Sequence, residues 1–299
     1  MIGAALARRF GADEEYEVVG ALGQPDWSDA RAVDKCFADT QPQDVVVAAG
    51  RTAGIVGNQR SPADLMLDNL LVAAHVVPAA WRHGTQKLLY LASSCVYPRD
   101  ASQPFASEGL WTGPLEPTSA AYATAKLAGM TLCDAYRQQH GAPFMSAVVA
   151  DVYGPGDDFS LDGTGHVVSA LMARMHAARR AGARSITIWG SGTPRREFLY
   201  VDDLADAVVF LMRQYDGDRV INIGTGVTTS VRELAEMERE IVGFEGELLF
   251  DAGRPDGAPV KGLDSAPLRA LGWTPSWHLR PALQSTYEWF LNYEAGEVS

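Results

Sequence analysis

The fold class of this chain is decided by the stretch Lys87-Leu-Leu-Tyr-Leu-Ala-Ser-Ser-Cys-Val-Tyr-Pro98. Its first half, residues 87–92, is an almost unbroken apolar run, which is typical of a strand buried on both faces of a parallel sheet. Polar residues follow at once, so we expect the hydroxyls of Ser93 and Ser94 at the carboxyl end of that strand. Because open α/β sheets bind ligands at this edge, both serines are candidate site residues.

Three further short apolar runs accompany this strand, at residues 44–49, 145–149 and 220–223. Helix-length segments lie between them, at residues 63–81, 121–139 and 201–213. Buried strands that alternate with helices predict an α/β fold, a Rossmann-like doubly wound parallel sheet. From about Val227 the chain is rich in helical patterns and ends in an aromatic helix around residues 287–293. We interpret that part as a smaller C-terminal substrate lobe.

Composition narrows the class of partner. The 299 residues include 47% apolar and 21% charged residues, which is ordinary for a globular protein, and the formal net charge is -12. That charge disfavours nonspecific binding to nucleic acid or to anionic membranes. The sequence contains no run of about 18 apolar residues, so we expect no membrane span. The three cysteines, Cys36, Cys95 and Cys133, match neither a metal motif nor a disulfide framework. We therefore expect a reducing, cytoplasmic environment.

A second motif, Tyr122-Ala-Thr-Ala-Lys126, can carry chemistry. Residues four apart share one face of a helix, and a lysine ammonium lowers the pKa of a nearby phenol. Such a phenol can exchange a proton with a carbinol or carbonyl oxygen near neutral pH. On its own the pair is common, and a solvated helical face is the simpler interpretation. Its place between the Ser93 strand and Asp151-Val-Tyr-Gly-Pro155, however, resembles the motif order of extended short-chain dehydrogenases.

Longer motifs make the resemblance more specific. Over essentially its whole length the chain resembles the GDP-L-fucose synthase family, on the motifs Gly50-Arg-Thr-Ala-Gly-Ile-Val-Gly-Asn58, Ser93-Ser-Cys-Val-Tyr-Pro98, Leu115-Glu-Pro-Thr118, Gly165-His-Val167, Trp189-Gly-Ser-Gly-Thr-Pro-Arg-Arg-Glu-Phe198 and Arg254-Pro-Asp-Gly-Ala-Pro-Val-Lys261. The resemblance implies epimerisation at C3 and C5 of a GDP-sugar, GDP-4-keto-6-deoxy-D-mannose, followed by NADPH-dependent reduction at C4. It also implies a cytoplasmic homodimer. The domains that it implies are a dinucleotide-binding domain, residues 1–153 and 197–226, and a nucleotide-sugar lobe, residues 154–196 and 227–299.

Epimerisation explains residues that a simple reductase would not need. A 4-keto group acidifies the protons on C3 and C5, so a base must remove each proton and an acid must return one on the other face. By resemblance Cys95 is the base and His166 the acid, while Ser93, Tyr122 and Lys126 serve the reduction. A free thiol ionises with a pKa of about 8.5, close enough to neutrality for such a role.

The resemblance also assigns the binding residues. Contacts with the GDP-sugar are implied for Arg174, Trp189, Arg196, Asp256 and Lys261. The cofactor-binding residues that it implies are Gly3, Ala49, Gly50, Ala92, Ser93, Ser94, Tyr122, Lys126, Ala150, Asp151, Val152, Tyr153 and His166.

Three features depart from the family pattern. The family opens with a strand and a Gly-x-x-Gly-x-x-Gly turn that holds the cofactor pyrophosphate. Here Gly3 matches only the last of those glycines, the first strand and most of the turn are missing from this sequence, and we expect a truncated start. After a strand expected at residues 17–20, residues 21–25 carry no basic side chain for the 2′-phosphate of NADP, which leaves NAD open beside NADP. Asp151 stands where the family usually has asparagine.

Two alternative functions stay open at this point. The first is a related GDP-hexose epimerase, of the type that acts on GDP-mannose, which oxidises and re-reduces C4 with tightly bound NAD(H). The second is a relative that binds nucleotide sugars without catalysis.

Overall fold

The computed structural model describes residues 1–19, 25–161, 165–254 and 256–296. Its strands are β1 (Asp44–Val47), β2 (Lys87–Ser93), β3 (Phe144–Val149), β4 (Asp151–Tyr153), β5 (Ser185–Trp189), β6 (Arg195–Tyr200), β7 (Ile221–Ile223), β8 (Thr228–Ser230), β9 (Glu247–Asp251) and β10 (Val260–Lys261). Its helices are α1 (Ile2–Gly11), α2 (Ala30–Thr40), α3 (Ile55–Arg60), α4 (Pro62–Arg82), α5 (Ala120–His140), α6 (Val167–Arg180), α7 (Val201–Gln214), α8 (Val231–Val242), α9 (Ala266–Ala270) and α10 (Leu279–Glu294).

The main sheet has the strand order β1-β2-β3-β7, and all of its pairs are parallel. The apolar runs expected at residues 87–92, 145–149 and 220–223 each match a strand to within one residue, while the run at 44–49 leaves the ladder after Val47. The prediction of an α/β, Rossmann-like parallel sheet is therefore confirmed. It holds because a strand covered on both faces needs a continuous apolar run, which the sequence displays directly.

Helix α5 covers the middle of this sheet and carries the Tyr-x-x-x-Lys motif. It packs against β2, β3 and α4. A Cβ on Gly129 would come within 2.3 Å of the Tyr90 side chain, so the glycine lets α5 approach β2 closely. The helix ends at Gly141, whose φ of 66° is the left-handed conformation typical of a helix C-terminus. The close packing fixes the height of Tyr122 and Lys126 above the strand ends.

A second group of elements surrounds a separate apolar cluster. Strand β6 pairs in parallel with β4 and β10 and antiparallel with β8, while β5 pairs in parallel with β9. Helix α8 packs against α6 and α10, and together they bury Met172, Leu234 and Leu283. Helix α8 begins with a capping box, in which Ser230 and Glu233 each bond the other's backbone N–H. These elements form the smaller C-terminal part of the fold.

The strand expected at residues 17–20 is wrong for the residues that the structure describes. Residues 17–19 have no regular secondary structure, and the side chains of Val18 and Val19 are 39% and 44% exposed. A short apolar run without a partner strand gains little from an extended conformation. Gly20 and residues 21–24, on which the comparison of NAD with NADP rests, lie outside the described residues.

Helix α4 is long and apolar enough to cross a membrane by length and composition alone. In the structure it packs against α2, α3 and α5, and 44% of its most apolar 18-residue segment is buried inside the protein. A core helix of an α/β domain passes the same test. We therefore interpret α4 as one of the helices that cover the main sheet.

Candidate active site

A cavity of about 810 Å³ opens at the carboxyl ends of β1, β2 and β3. It begins beside Met1 and Ile2, passes the strand ends, and extends to Trp189 and Asp256 in the second group of elements. Small-molecule sites span roughly 300–1,000 Å³, so the cavity has the size expected for a large ligand. Its position at the carboxyl edge is where open α/β sheets bind ligands.

Ser93, Tyr122 and Lys126 meet at one wall of this cavity. Ser93 ends β2, and its hydroxyl accepts a hydrogen bond from the backbone N–H of Cys95 at 3.4 Å. Tyr122 and Lys126 project from one face of α5, and both are buried. The Tyr122 phenol faces the Ser93 hydroxyl, which acts to lower its pKa. The structure thus places the three residues that the sequence grouped at one point of the cavity wall.

The expected effect of Lys126 on Tyr122 is wrong. Burial raises the pKa of Tyr122, and charge at Cys95 acts in the same direction, while Lys126 is not among the causes. The Lys126 ammonium donates to the backbone carbonyl of Leu91 at 3.3 Å and lies 5.2 Å from the centre of the Tyr90 ring. Burial also lowers the pKa of Lys126 itself to about 8. Loss of solvent therefore outweighs the attraction between ammonium and phenolate that the helical spacing suggests.

Cys95 lies beside Ser93, Tyr122 and Lys126, in the short turn that follows β2. The Nζ of Lys261 donates to the Cys95 sulfur at 3.5 Å. Negative charge at Cys95 is the largest cause of a raised pKa at Lys261, which is therefore charged at neutral pH. Lys261 ends β10, where it pairs with Arg196 of β6. The structure places this lysine, expected to contact the GDP-sugar, against the thiol expected to act as base.

Glu197 fixes the segment that carries Lys261. Its buried carboxylate accepts hydrogen bonds from the backbone N–H of Leu263 at 2.5 Å and of Gly226 at 2.7 Å. Burial raises the pKa of Glu197, and these backbone N–H groups counter part of that effect. Because Leu263 lies two residues beyond Lys261, the carboxylate holds β10 in place under the cavity.

His166 lies across the cavity at the start of α6. Its Nε2 is 3.3 Å from the hydroxyl of Thr52, and its Nδ1 is 3.8 Å from a carboxylate oxygen of Asp157. Burial acts to lower the pKa of His166, but Asp157, Asp151 and Cys95 outweigh it and raise the pKa. Thr52 belongs to the Gly50–Asn58 motif, but no role was expected for its hydroxyl. Asp157 follows the Asp151-Val-Tyr-Gly-Pro155 motif and could have been found there as a carboxylate near His166.

The residues expected to contact the GDP-sugar line the far end of the cavity. Arg174 donates to the carbonyl of Thr187, and Arg196 donates to the carbonyl of Asp256 at 3.4 Å. The Asp256 carboxylate accepts from the Ser191 backbone N–H at 2.7 Å and so shapes the turn after β5. Trp189 is 48% exposed, and the Arg254 guanidinium lies 5.0 Å from the centre of its ring. This end presents three arginines and a half-exposed aromatic ring, which suits a phosphorylated ligand with a planar base.

Most of the expected site residues line this single cavity. Those that do are Ala49, Gly50, Ala92, Ser93, Cys95, Tyr122, Lys126, Ala150, Asp151, Val152, His166, Arg174, Trp189, Arg196, Asp256 and Lys261. Three expected cofactor residues do not line it. Gly3 is exposed on α1, Ser94 is buried, and the Tyr153 ring packs 5.8 Å from that of Tyr200 in the second apolar cluster.

Polar groups in the wall fit a ligand that carries hydroxyls and phosphates, such as a dinucleotide. The Oδ1 of Asn69 is buried and has no hydrogen-bond partner among the described residues. It approaches the backbone of Gly50, where a Cβ would lie 2.3 Å from it, and the φ of Gly50 is +134°. Lys126 uses one of its three N–H donors in the hydrogen bond to the backbone carbonyl of Leu91. Buried polar groups seldom stay unpaired, so the residues present can hold such a ligand at the strand ends.

The fold and the Ser93–Tyr122–Lys126 set define a dinucleotide-dependent enzyme of the short-chain dehydrogenase type. The chain belongs to the NAD dependent epimerase/dehydratase family, whose model matches residues 1–224. It is 44% identical to a GDP-L-fucose synthase of Sinorhizobium fredii over 293 residues, which cover 98% of this chain and 93% of that protein.

Solved structures agree with this placement. A GDP-6-OMe-4-keto-L-xylo-heptose reductase from C. jejuni superposes with a TM-score of 0.91 and 28% identity over 98% of this chain and 95% of that one. A GDP-L-fucose synthetase from Naegleria fowleri bound to NADP gives a TM-score of 0.88 and 26% identity over 99% and 93%.

Proposed function

We propose that this chain is a GDP-L-fucose synthase, which epimerises C3 and C5 of GDP-4-keto-6-deoxy-D-mannose and then reduces C4 with NADPH. One observation carries this proposal: Cys95 and His166 line the same cavity as Ser93 and Tyr122. Reduction of a ketone needs one acid, whereas epimerisation beside a ketone needs a further base and a further acid. The similarity to GDP-L-fucose synthases over almost the whole chain supports the choice of substrate.

Cys95 and His166 carry the epimerisation. The sulfur of Cys95, which accepts a hydrogen bond from the ammonium of Lys261, removes the acidified proton from C3 or C5. Burial acts to lower the pKa of His166, but nearby carboxylates outweigh it and favour the protonated ring, and His166 returns a proton on the other face of the sugar ring. A base and an acid on different elements, the turn after β2 and the start of α6, suit a reaction that changes faces.

Tyr122 carries the proton of the reduction. Burial raises the pKa of Tyr122, so its hydroxyl keeps its proton at neutral pH and donates it to the oxygen on C4. Ser93, whose hydroxyl faces the phenol, positions the same oxygen. NADPH, when bound, supplies the hydride to C4. The cavity-lining residues of the expected cofactor set, from Ala49 to His166, bind that dinucleotide, and the NADP-bound neighbour supports NADP as the cofactor.

The GDP-sugar binds at the far end of the cavity. Arg174 and Arg196 pair with the diphosphate, and Trp189 offers a face to the guanine. Residues 1–153 and 197–226 then form the dinucleotide-binding domain, and residues 154–196 and 227–299 form the nucleotide-sugar lobe. Two separate apolar clusters support a division into two parts, although Leu263, Leu268 and Trp273 pack in the first cluster and Tyr153, Phe198 and Tyr200 in the second.

The chain forms a homodimer in the cytoplasm. Leu67 and Trp81 of α4 are 56% and 42% exposed, and this apolar face supports association of two copies through α4 and α5. The cysteines of the described residues are free, as in a reducing compartment.

The test is solvent deuterium incorporation at C3 and C5 of GDP-4-keto-6-deoxy-D-mannose, followed by NMR. The parent is expected to exchange both positions and to consume one NADPH per product. Cys95→Ser and His166→Gln are expected to lose exchange by about 100-fold or more. Cys36→Ser and His140→Gln are matched controls on α2 and α5, outside the cavity lining, and should exchange like the parent. Exchange at the parental rate in both site variants would contradict the proposal.

Stoichiometry separates this function from the GDP-hexose epimerase alternative. An epimerase that keeps its NAD(H) regenerates the cofactor in every cycle, so it interconverts GDP-hexoses without net consumption of NADPH. Product formation without NADPH oxidation would favour that alternative.

A further inference from the structure

Four side chains from four separate segments form a continuous polar path across the cavity. Asp157 follows β4, His166 precedes α6, Thr52 follows β1, and Tyr122 lies on α5. The carboxylate of Asp157 is 3.8 Å from His166 Nδ1, and the Thr52 hydroxyl is 3.3 Å from His166 Nε2. The same Thr52 hydroxyl faces the Tyr122 phenol. Thr52 therefore stands between the two acids of the proposed reaction.

The Asp157 end of this path is closed off from solvent. The Asp157 side chain is only 6% exposed. The Nδ1 of His166 and the Oδ2 of Asp157 are both buried and have no hydrogen-bond partner among the described residues. The Nδ1 of His166 lies 3.8 Å from Oδ1 of the same carboxylate, so a proton on Nδ1 is directed toward the negative charge of Asp157. That tautomer leaves Nε2 to exchange its own proton with Thr52.

We propose that Thr52 relays a proton from His166 to Tyr122, with Asp157 as the residue that charges and orients His166; the inference rests on the function proposed above. When Tyr122 gives its proton to the substrate oxygen, a phenolate is left. The Thr52 hydroxyl donates its proton to that phenolate and takes the Nε2 proton of the imidazolium. The result is a neutral Tyr122, an intact Thr52 hydroxyl and a neutral His166 that keeps Nδ1–H toward Asp157. Solvent then recharges His166.

The charges around the path favour transfer in this direction. Burial acts to lower the pKa of His166, but the groups that face it, Asp157, Asp151 and Cys95, outweigh burial and raise that pKa, so they favour the imidazolium. Burial raises the pKa of Tyr122, and the neighbouring Cys95 and Asp151 act in the same direction, so the phenol binds its proton more strongly. A proton therefore moves from the weaker to the stronger base.

A pair of variants tests the relay. Thr52→Val keeps the shape of the side chain and removes the hydroxyl, while Thr52→Ser keeps the hydroxyl. The NADPH oxidation rate in steady state is expected to fall about tenfold or more in Thr52→Val and to be restored for the most part in Thr52→Ser. Added imidazole buffer should speed Thr52→Val more than the parent. Equal steady-state rates in Thr52→Val and Thr52→Ser would overturn the relay.

Titration of the ligand-free protein gives a readout that does not depend on activity. The His166 ring is followed by NMR against pH, and the Asp157→Asn variant is expected to show a lower pKa than the parent. Asp64→Asn, an exposed carboxyl on α4, is the control and should leave the His166 titration unchanged. An unchanged His166 titration in Asp157→Asn would overturn the role of Asp157. A parent that neither exchanges C3 and C5 protons nor oxidises NADPH would instead remove the proposed function, and the titration result would stand apart from that failure.

Discussion

The ammonium of Lys261 donates to the sulfur of Cys95 across 3.5 Å, although 166 residues separate them in the chain. Strand β10 places the lysine there, because its pairing with β6 and the bonds from Leu263 to Glu197 leave this short strand little freedom. An ammonium stabilises a nearby thiolate and so makes it available as a base or a nucleophile. The contact places Lys261 where it can affect the reactivity of the Cys95 sulfur.

We expect Lys261→Met to slow alkylation of Cys95 by iodoacetamide at pH 7 by about tenfold, because the thiolate loses its adjacent positive charge. Lys261→Arg should retain most of the rate. The modification of Cys95 is measured by mass spectrometry, so Cys36 and Cys133 do not interfere. Lys35→Met, which removes a lysine beside Cys36, is the control. A Cys95 rate unchanged in Lys261→Met would show that the contact has no effect on the thiol.

Tyr122→Phe is expected to remove reduction and to leave binding of the GDP-sugar nearly unchanged. Only the hydroxyl that carries the proton is deleted, so the loss of NADPH oxidation should be about 100-fold or more. Because burial raises the pKa of Tyr122, the parental rate should not fall through loss of this proton near neutral pH. Turnover is measured by NADPH absorbance and binding by calorimetry. Turnover close to that of the parent would contradict the assignment of Tyr122.

The main sheet could be predicted from sequence because its information is local. Residues 87–93 need only their own apolar side chains to show that the strand is buried, and the motif at Tyr122 and Lys126 needs only helical spacing. Motifs at the ends of neighbouring parallel strands also meet at one edge of the sheet. The position of the cavity at this edge therefore followed from pattern, whereas most of its lining residues were assigned by resemblance to the family.

Other features depend on contacts that no local pattern records. The contact between Lys261 and Cys95 requires β10 to pair with β6. The effect of burial on Tyr122 and Lys126 requires the close approach of α5 to β2, and it reversed the pKa expected from their spacing. Thr52 lay within the Gly50–Asn58 motif, but nothing in that motif indicated that its hydroxyl would lie beside His166. The valines at residues 18 and 19 looked like a strand because an apolar run does not show whether a partner strand lies beside it.

Replacement of Lys126 is expected to stabilise the fold while it impairs reduction. Burial lowers the pKa of Lys126 to about 8, below its ordinary value of 10.5. Between these two pH values the unfolded chain therefore binds the proton more strongly than the folded chain does. The buried charge lowers the free energy of unfolding in full below pH 8, and this effect disappears as pH rises toward 10.5. Lys126→Met should have a higher free energy of unfolding than the parent at pH 7, with a smaller advantage at pH 9.5. Urea unfolding at both pH values measures this difference, and a variant less stable than the parent at pH 7 would contradict it.

Helix α8 buries a carboxyl group that does not contribute to the candidate site. Glu238 of α8 is completely buried, and neither of its carboxyl oxygens has a hydrogen-bond partner among the described residues. Burial raises its pKa well above 4.5, so the group resists ionisation in the folded chain. It lies on the same helix face as Leu234, inside the second apolar cluster, and it does not line the cavity.

We expect Glu238→Met to stabilise the protein and to remove part of its pH dependence. The pKa of Glu238 is higher in the folded chain than its value of 4.5 in the unfolded chain. The free energy of unfolding is therefore highest below pH 4.5, where the carboxyl is neutral in both states, and it falls as pH rises toward the folded pKa. The free energy of unfolding of the parent should therefore fall between pH 5.5 and pH 8 relative to Glu238→Met, and the variant should gain about 1–3 kcal/mol at pH 8, the usual cost of an unsatisfied buried polar group. Glu236→Gln, on the same helix and paired with Arg239, is the control. Urea unfolding at the two pH values makes the comparison, and the same pH dependence in parent and Glu238→Met would mean that Glu238 finds a partner which stabilises its charged form.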